Sequence, residues 1–266
     1  MKNLLKVIYR NLIYIFYGDG LSFVTKLQLK IKKRFQQSSI SFFGKDFTYS
    51  DSSSFVSTYE EIFIKKIYDF PSDIASPYIL DCGANIGLST IAFKRQHPKA
   101  RIKAFEPDST ISEILKDNLA KQQYQDVEVI PKALWVFDGE IKFHEQGGLS
   151  GSIVDGNTNG LPIVSLPCIR LKDLLTEKID FLKIDIEGAE YDVLCDCKDQ
   201  LIHVQRMFVE YHSVFSKKQT LNEILKIISD AGFRYHIQEA YTSPQPFMHV
   251  TGMQDMDLQL NIFCYR

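Results

Sequence analysis

Two glycines and an acid in the central part of the chain have the spacing of a ligand-binding turn. Asp81 ends a short apolar run and opens the segment DCGANIG, residues 81–87. Glycines at a strand-to-helix turn let the backbone approach a ligand closely, and the next helix offers free N–H groups. The segment lacks the G-x-G-x-x-G fingerprint of dinucleotide sites. Because an acid at this turn repels phosphate but suits a cationic group, the sequence predicts a zwitterionic cofactor without phosphates.

Glu106 is a second candidate ligand, placed 25 residues after Asp81 and behind another apolar run. In a parallel sheet this position falls at the carboxyl end of the neighbouring strand, where a carboxylate can accept two hydrogen bonds from ribose hydroxyls. The alternative is an acid that caps the following helix, which Asp108 or Ser109 would do equally well. With the glycine turn before it, we interpret Glu106 as a ribose ligand.

Acidic residues and a histidine follow two later strands. Asp185 and Glu187 come after the run IDFLKI, and Glu210 and His212 end the run RMFVEYH. The carboxyl ends of neighbouring parallel strands meet at one edge of a sheet, so we expect these side chains to lie together. Asp185 can contact the ammonium group of a cofactor or orient an acceptor, and Glu187 can accept from a substrate. The alternative is that Glu187 and Glu190 only favour a helix start.

His212 is the predicted general base, because an unperturbed imidazole titrates near pH 6.5. Asp185 and Glu187 are the other catalytic candidates. Together with Glu210 these residues also offer the oxygen and nitrogen ligands that Mg²⁺ accepts. A divalent metal is therefore compatible with the sequence, although it is not the favoured interpretation.

Alternating strands and helices must position these side chains. Apolar runs at YILDCG, RIKAFEP, VEVIPKAL, IDFLKID and RMFVEYH alternate with helical patterns. This alternation predicts a mostly parallel α/β sheet with helices on both faces. EIKFHE is a further predicted strand. The closing segments FRYHIQEA and LQLNIFCYR have no helix between them, so they predict an antiparallel hairpin at one edge.

The segments DCGANIG, AFEPD, IDFLKIDIEGAEYDVL and FVEYH together resemble the FkbM-type methyltransferases, a branch of the class I S-adenosylmethionine-dependent enzymes. KIDIEGAE is the most specific of them, and the resemblance runs from about Tyr59 to the C-terminus. It implies a Rossmann-like seven-stranded sheet whose last strand is antiparallel. It also implies S-adenosylmethionine as cofactor, with the ribose held by Glu106. The residues implied around its amino-acid part are Gly83, Ala84, Asn85 and Gly87, and those beside its adenine are Lys132 and Ala133.

The activity that this resemblance implies is methyl transfer to a hydroxyl of a sugar, glycan or secondary metabolite. Such a transfer is an in-line displacement, so the enzyme aligns donor and acceptor and removes the acceptor proton. One alternative is a nicotinamide-dependent oxidoreductase, which the missing fingerprint disfavours. The other is a non-catalytic Rossmann-like scaffold tethered to a membrane by a basic N-terminal helix. The intact binding pattern argues against that scaffold.

The N-terminal part of the chain is strongly basic. Residues 1–36 carry eight basic side chains and one acidic side chain, a net charge of +7, whereas the whole chain carries −2. The overall balance argues against a nucleic-acid partner. Residues 4–17 place apolar side chains at helical spacing but are interrupted by Lys6 and Arg10, so they are too short to span a membrane. We predict an amphipathic helix that docks on this protein or on a second copy of it, or that makes peripheral contact with an anionic membrane.

Further elements are expected before the alternating region. The sequence predicts a helix from Val24 to Phe35, a hairpin over Ser38–Tyr49 and a helix over Ser57–Asp69. Thr58 and Glu61 have the spacing of a capping box at the start of that last helix.

Two domains are expected, a basic helical extension with the hairpin at residues 1–56 and an S-adenosylmethionine-binding domain at residues 57–266. The five cysteines have no repeating spacing, which favours free thiols over disulfides or a zinc site. Free thiols indicate a reducing compartment, so a cytoplasmic location is expected.

Overall fold

The computed structural model describes the chain in six stretches, and the predicted amphipathic helix at residues 4–17 lies outside them. Within these stretches no helix is long and apolar enough to cross a membrane. The described residues are 20–21, 23–145, 151–153, 163–243, 245–248 and 256–266.

Helices and strands alternate through most of the described chain. The helices are α1 (Phe23–Lys30), α2 (Ser52–Tyr59), α3 (Leu88–Gln96), α4 (Ser109–Lys121), α5 (Glu190–Cys197) and α6 (Leu221–Asp230). The strands are β1 (Ser38–Phe42), β2 (Lys45–Tyr49), β3 (Tyr78–Cys82), β4 (Arg101–Phe105), β5 (Glu128–Ile130), β6 (Ala133–Trp135), β7 (Gly139–Glu145), β8 (Gly151–Ile153), β9 (Ile163–Arg170), β10 (Phe181–Ile184), β11 (Arg206–Val214), β12 (Arg234–Thr242) and β13 (Met256–Tyr265).

A seven-stranded sheet forms the centre of the fold, in the order β12-β13-β11-β10-β3-β4-β5. The strands from β11 to β5 pair in parallel, and β13 is antiparallel to both β11 and β12. This confirms the predicted α/β sheet and the predicted closing hairpin at one edge. The carboxyl ends of β3, β10 and β11 therefore lie side by side.

The central strands are buried on both faces. Ile79 and Phe181 belong to one apolar cluster, whereas their chain neighbours Leu80 and Leu182 belong to another. Successive side chains of a strand point to opposite faces, so these clusters are the two layers between sheet and helices. Strands enclosed in this way appear in the sequence as continuous apolar runs, which explains why β3 and β10 were predictable.

The predicted strand VEVIPKAL is wrong as a single element. Pro131 cannot donate to a ladder, so β5 ends at Ile130 and the chain turns there. The following strand β6 joins a second sheet, in the order β6-β9-β7-β8. The predicted strand EIKFHE lies within β7 in that second sheet. Strand β9 was not predicted, because Pro167 interrupts its pattern.

The elements before the main sheet differ from the prediction in their bounds. Helix α1 ends at Lys30, earlier than the predicted Phe35, and the hairpin β1–β2 has the predicted position. Helix α2 begins at Ser52 rather than at the predicted Ser57, so the predicted start at the capping box is wrong. Thr58 lies inside α2, which continues into a π-helical turn at residues 60–64.

Asp51 is the residue that starts α2 and ties it to the chain before the hairpin. Its carboxylate accepts hydrogen bonds from the backbone N–H of Ser54 and of Phe35, both at 2.9 Å. It also pairs with the Arg34 guanidinium at 3.0 Å. Burial alone would raise the pKa of Asp51, but the hydrogen bonds from Arg34 and the two amides hold that pKa well below its usual range. The competing signal at Thr58 was local, whereas this cap depends on residues brought back by the hairpin.

The hairpin is also fixed to the main sheet's helices. Asn118 of α4 accepts from the backbone N–H of Thr48 at 2.7 Å and donates to the Thr48 carbonyl at 2.8 Å. Phe42 and Phe47 of the hairpin are buried in the same apolar cluster as Ile79. The division at residues 56 and 57 stays a prediction.

Replacing Asp51 by Ala should destabilise the fold by about 2 kcal/mol, because the N-cap and the buried hydrogen bonds are lost together. For a chain of this size the melting temperature should fall by about 4–8 °C. The matched control is Asp73→Ala, which removes an exposed carboxylate. Equal melting temperatures for the two variants would contradict the role of Asp51.

Candidate active site

A cavity of about 650 Å³ opens at the carboxyl ends of β3, β10 and β11. Its wall includes the glycine turn after β3, the acidic residues after β10 and within β11, the polar side of α2, and residues of β12 and β13. Among the lining residues on the sheet side are Gly83, Ala84, Asn85, Lys183, Asp185, Glu187, Glu210 and His212. Those on the side of α2 include Ser53, Ser57, Thr58, Glu61 and Tyr68.

The glycine turn is held tightly against its neighbours. The backbone N–H groups of Gly83 and Ala84 both donate to the carbonyl of Phe105, at 3.1 and 2.9 Å. Gly83 has a φ of +86°, and a Cβ there would collide with the backbone carbonyl oxygen of Asp185. Only glycine fits this position, which brings the turn after β3 against the turn after β10.

Asp81 has a different environment from the predicted one. Its side chain is fully buried and is absent from the cavity wall. The carboxylate accepts from the hydroxyls of Ser89 and Thr90, at 2.7 and 2.6 Å. It therefore fixes the start of α3, and its direct contact with a cofactor stays a prediction.

Lys183 is a site residue that the sequence reasoning missed. Its ammonium group donates to the carbonyl of Gly83 at 2.7 Å. It also pairs with the carboxylates of Asp185 at 3.1 Å and Asp81 at 3.6 Å. Burial opposes the charge, but these two carboxylates raise the pKa of Lys183 above its usual value. The available signal was a lysine inside the otherwise apolar strand FLKI.

Glu106 lies beside the glycine turn, as its spacing predicted. Its carboxylate accepts from the backbone N–H of Asn85 and of Asp108, both at 3.0 Å. Burial raises the pKa of Glu106 to about 7. The alternative role, capping the next helix, belongs to Asp108, which accepts from the N–H of Ile111 at 2.9 Å. The carboxylate of Glu106 is therefore not used as a cap of α4.

Ala133 is separated from the other predicted cofactor residues. It begins β6 and pairs with Cys168 in the second sheet, and it does not line the cavity. The turn before it lies nearer, because the backbone N–H of Glu106 donates to the carbonyl of Ile130 at 3.2 Å. Pro131 explains the difference, since it diverts the chain out of the main sheet.

His212 faces an acidic environment that the sequence did not reveal. Its Nδ1 lies 3.0 Å from Glu190 Oε1, and its Nε2 lies 3.7 Å from Glu187 Oε2. Burial alone would lower the pKa of His212, but the neighbouring carboxylates, Glu190 first, raise it well above its usual value. The expectation of an ordinary histidine pKa is wrong. These carboxylates favour the protonated imidazole.

Glu190 orders the turn that carries Glu187. It is buried at the start of α5, and its Oε1 accepts from the backbone N–H of Ile186 at 3.2 Å and of Gly188 at 3.0 Å. The residue between them, Glu187, adopts a backbone φ of +54°, which is unusual for a residue other than glycine. Burial raises the pKa of Glu187 to about 7.

Glu210 completes the acidic group. Burial, followed by the nearby charge of Asp185, raises the pKa of Glu210 to about 8, and Gln259 donates a hydrogen bond to it. One ligand atom each of Asp185, Glu187 and His212 lies within 4.8 Å of the others. These three could each give a divalent cation one ligand atom, although the ammonium of Lys183 already neutralises Asp185.

The order of the main sheet and the glycine turn after its first parallel strand define a class I methyltransferase fold. The sequence pattern of the methyltransferase FkbM domain matches residues 81–235. The chain therefore belongs to the FkbM methyltransferase family, as the motifs predicted. This membership disfavours the oxidoreductase alternative.

Several characterised proteins are similar in sequence. The chain is 27% identical over 229 residues to the methyltransferase sdnD of Sordaria araneosa, a match that covers 73% of this chain and 88% of that one. It is 31% identical over 169 residues to Methyltransferase 1 of Beauveria bassiana, covering 53% and 67%. It is 27% identical over 174 residues to the 2-O-methyltransferase NoeI of Sinorhizobium fredii, covering 57% and 71%.

Solved structures are similar at lower identity. The FkbM methyltransferase of Methylobacillus flagellatus is 15% identical with a TM-score of 0.46, and the match covers 71% of this chain and 44% of that one. TYW2 of M. jannaschii in complex with AdoMet is 12% identical with a TM-score of 0.48, and the match covers 89% of both chains.

Replacing Glu190 by Gln should lower the pKa of His212 to or below its ordinary value near 6.5, because burial then acts without its main counter-charge. In the parent, the stabilisation from this ion pair is complete below pH 6.5 and is lost as the pH rises through the raised pKa. Nitrogen-15 NMR of the imidazole measures the pKa of His212, and unfolding followed as a function of pH measures the stabilisation.

The control for this titration is Glu113→Gln, a mostly exposed carboxylate on α4. It should leave the pKa of His212 unchanged. A parent His212 that titrates near 6.5 would contradict the environment described above.

Proposed function

We propose that this methyltransferase moves the methyl group of S-adenosylmethionine to a hydroxyl of a sugar, glycan or other secondary metabolite. The observation that carries the choice of oxygen is Glu187, whose carboxylate lies 3.7 Å from the His212 imidazole on the wall of the same cavity as the glycine turn. A hydroxyl acceptor must lose a proton as it becomes methylated, so it needs such a group. The similarity to the 2-O-methyltransferase NoeI supports the same choice.

The residues of the cavity fit the methyl donor by charge. S-adenosylmethionine carries a sulfonium and an ammonium group, and the sheet side of the cavity offers the carboxyl groups of Asp185, which pairs with Lys183, and of Glu210, whose raised pKa a bound cation would lower. In this proposal Asp185 faces the cationic part, and Asn85 with the glycine turn surrounds the amino-acid part. Glu106, which does not line the cavity but accepts from the backbone N–H of Asn85, accepts from the ribose. Asp81 acts indirectly, since its carboxylate pairs with Lys183.

The donor supplies an electrophilic methyl group for in-line displacement. Glu187 takes the proton of the acceptor hydroxyl as the new O–C bond forms, and thioether sulfur leaves. His212 stays protonated at 3.7 Å from Glu187 and stabilises its ionised form. Glu190 holds both residues in place. We assign the base to Glu187 rather than to His212, because the carboxylates around His212 raise its pKa and favour the protonated imidazole, which has no lone pair with which to accept a proton.

The proposal includes a cytoplasmic location. All five cysteines are free thiols, and four of them are buried. Free thiols of this kind suit a reducing compartment.

The direct test is transfer of labelled methyl from S-adenosylmethionine into fractionated cellular glycans and small metabolites. We expect label on oxygen, identified by mass spectrometry of the methylated product. Label on nitrogen or carbon would overturn the O-directed assignment. A folded protein that binds the donor and labels no fraction would favour the non-catalytic scaffold.

Replacing Glu187 by Gln should lower kcat by about 10²–10⁴-fold, because the proton acceptor is lost while the shape is kept. Affinity for S-adenosylhomocysteine should stay nearly unchanged in calorimetry. In the parent, the rate should rise with pH through about 7 as Glu187 ionises, and the variant should lose this rise.

The matched control is Glu113→Gln, which should keep the parent rate at every pH. A Glu187→Gln variant that retains the pH-dependent rise, next to a His212→Ala variant that loses it, would return the role of base to His212.

A further inference from the structure

The surface beside the cavity carries three exposed apolar side chains in a row. Leu27, Ile31 and Phe35 are 55, 80 and 62% exposed. They recur every four residues: Leu27 lies on α1, Ile31 follows its last residue, and Phe35 lies beyond the helix with a φ of +56°. Single exposed apolar residues are ordinary, but a group of exposed apolar side chains within one short segment is typical of an interaction surface.

The same segment is densely cationic and contains no acid. Its five basic residues are Lys26, Lys30, Lys32, Lys33 and Arg34. Among the described residues, ion pairs reach this segment from two acids. Glu60 lies 3.7 Å from Lys30, and Asp51 lies 3.0 Å from Arg34. Among the described residues, Lys26, Lys32 and Lys33 have no ion-pair partner, and Lys32 donates to the neutral hydroxyls of Tyr49 at 2.8 Å and Ser38 at 3.4 Å.

We call the apolar residues 27, 31 and 35 together with the basic residues 30 and 32–34 the N-terminal patch. Alternation of exposed apolar and cationic side chains is the chemistry of surfaces that lie on anionic lipid bilayers. The apolar groups enter the boundary between headgroups and acyl chains, and the cations meet the phosphates. A neutral or cationic protein surface would satisfy only one of the two components.

The N-terminal patch is continuous with the rim of the cavity. Arg34 and Phe35 belong to the patch and also line the cavity. Helix α1 packs on α2, with the ammonium of Lys26 4.9 Å from the centre of the Tyr59 ring. Ser57 and Thr58 of α2 line the cavity. A bilayer on the patch would therefore lie next to the opening through which an acceptor enters.

We propose that the N-terminal patch docks this protein on an anionic membrane surface and presents the cavity to acceptors held at that surface. The second half rests on the proposed function. It narrows the acceptor to an amphiphile, a hydroxylated headgroup carried on a lipid. The basic, amphipathic sequence of residues 4–17 has the same character as the patch.

The test is sedimentation of the full chain with vesicles of phosphatidylcholine alone, or of equal parts phosphatidylcholine and phosphatidylglycerol. The chain should bind the mixed vesicles and not the neutral ones, and the binding should weaken as salt is added. The double variant Ile31→Asp, Lys33→Glu should bind the mixed vesicles at least about tenfold more weakly than the parent. Both residues are exposed and outside the cavity wall, so the fold should tolerate the changes.

The matched control is the double variant Ile202→Asp, Lys226→Glu, which alters one exposed apolar and one exposed basic residue elsewhere. It should bind the mixed vesicles as the parent does. Equal binding to both vesicle types, or equal binding of the patch variant and the parent, would overturn the docking. Light scattering tests a second copy as the occupant, and a dimer that dissociates in the patch variant would also overturn it.

Vesicle binding is measured without methyl donor, so its result is independent of the proposed reaction. Loss of binding alongside active methyl transfer would remove only the membrane inference. Binding without methyl transfer into any lipid or glycan fraction would keep the docking and remove the proposed reaction with its amphiphilic acceptor.

Discussion

The buried ammonium group of Lys183 is the interaction on which the site depends. A cation without water needs several oxygen partners, and Lys183 finds them on two different turns, at Gly83 after β3 and at Asp185 after β10. Asp81 adds a third partner from below. The glycine at position 83 is the other half of this arrangement, since any side chain there would strike the Asp185 carbonyl. A lysine and a glycine thus fix the distance between two loops that local sequence leaves free.

A second buried ion pair, between His212 and Glu190, determines which carboxyl group is suited to accept a proton near neutral pH. Glu190 Oε1 lies at hydrogen-bond distance from two backbone amides and from His212. That pairing favours the cationic form of His212, which in turn moderates the pKa of Glu187, raised by burial to about 7. Glu187 is also 39% exposed, so the proton can leave to solvent. The suitability of Glu187 as a proton acceptor at neutral pH therefore depends on its surroundings, which include Glu190 and His212, and not on its residue type alone.

The gathering of Asp185, Glu187, Glu210 and His212 could be predicted because parallel strand ends share one edge, a property of the sheet as a whole. The protonation state of His212 could not, since its main counter-charge comes from Glu190, on a helix distant in sequence. A local signal also failed at the start of α2. The capping-box spacing at Thr58 and Glu61 predicted that start, whereas Asp51 caps the helix through the N–H of Ser54 and is held further by Arg34 and Phe35 from before the hairpin.

Part of the cavity wall lies outside the family match, and this limits what relatives can reveal about the acceptor. The glycine turn and the acidic group lie within the family match at residues 81–235. Ser57, Thr58 and the buried Tyr68 precede that match, yet they form the opposite wall. Under the proposed reaction the methyl donor would contact the side within the match, whereas residues before it and residues after it, Ala240, Tyr241, Met256 and Gln259, complete the wall. Acceptor choice under that reaction would therefore depend on residues outside the family match, and must be measured on this chain.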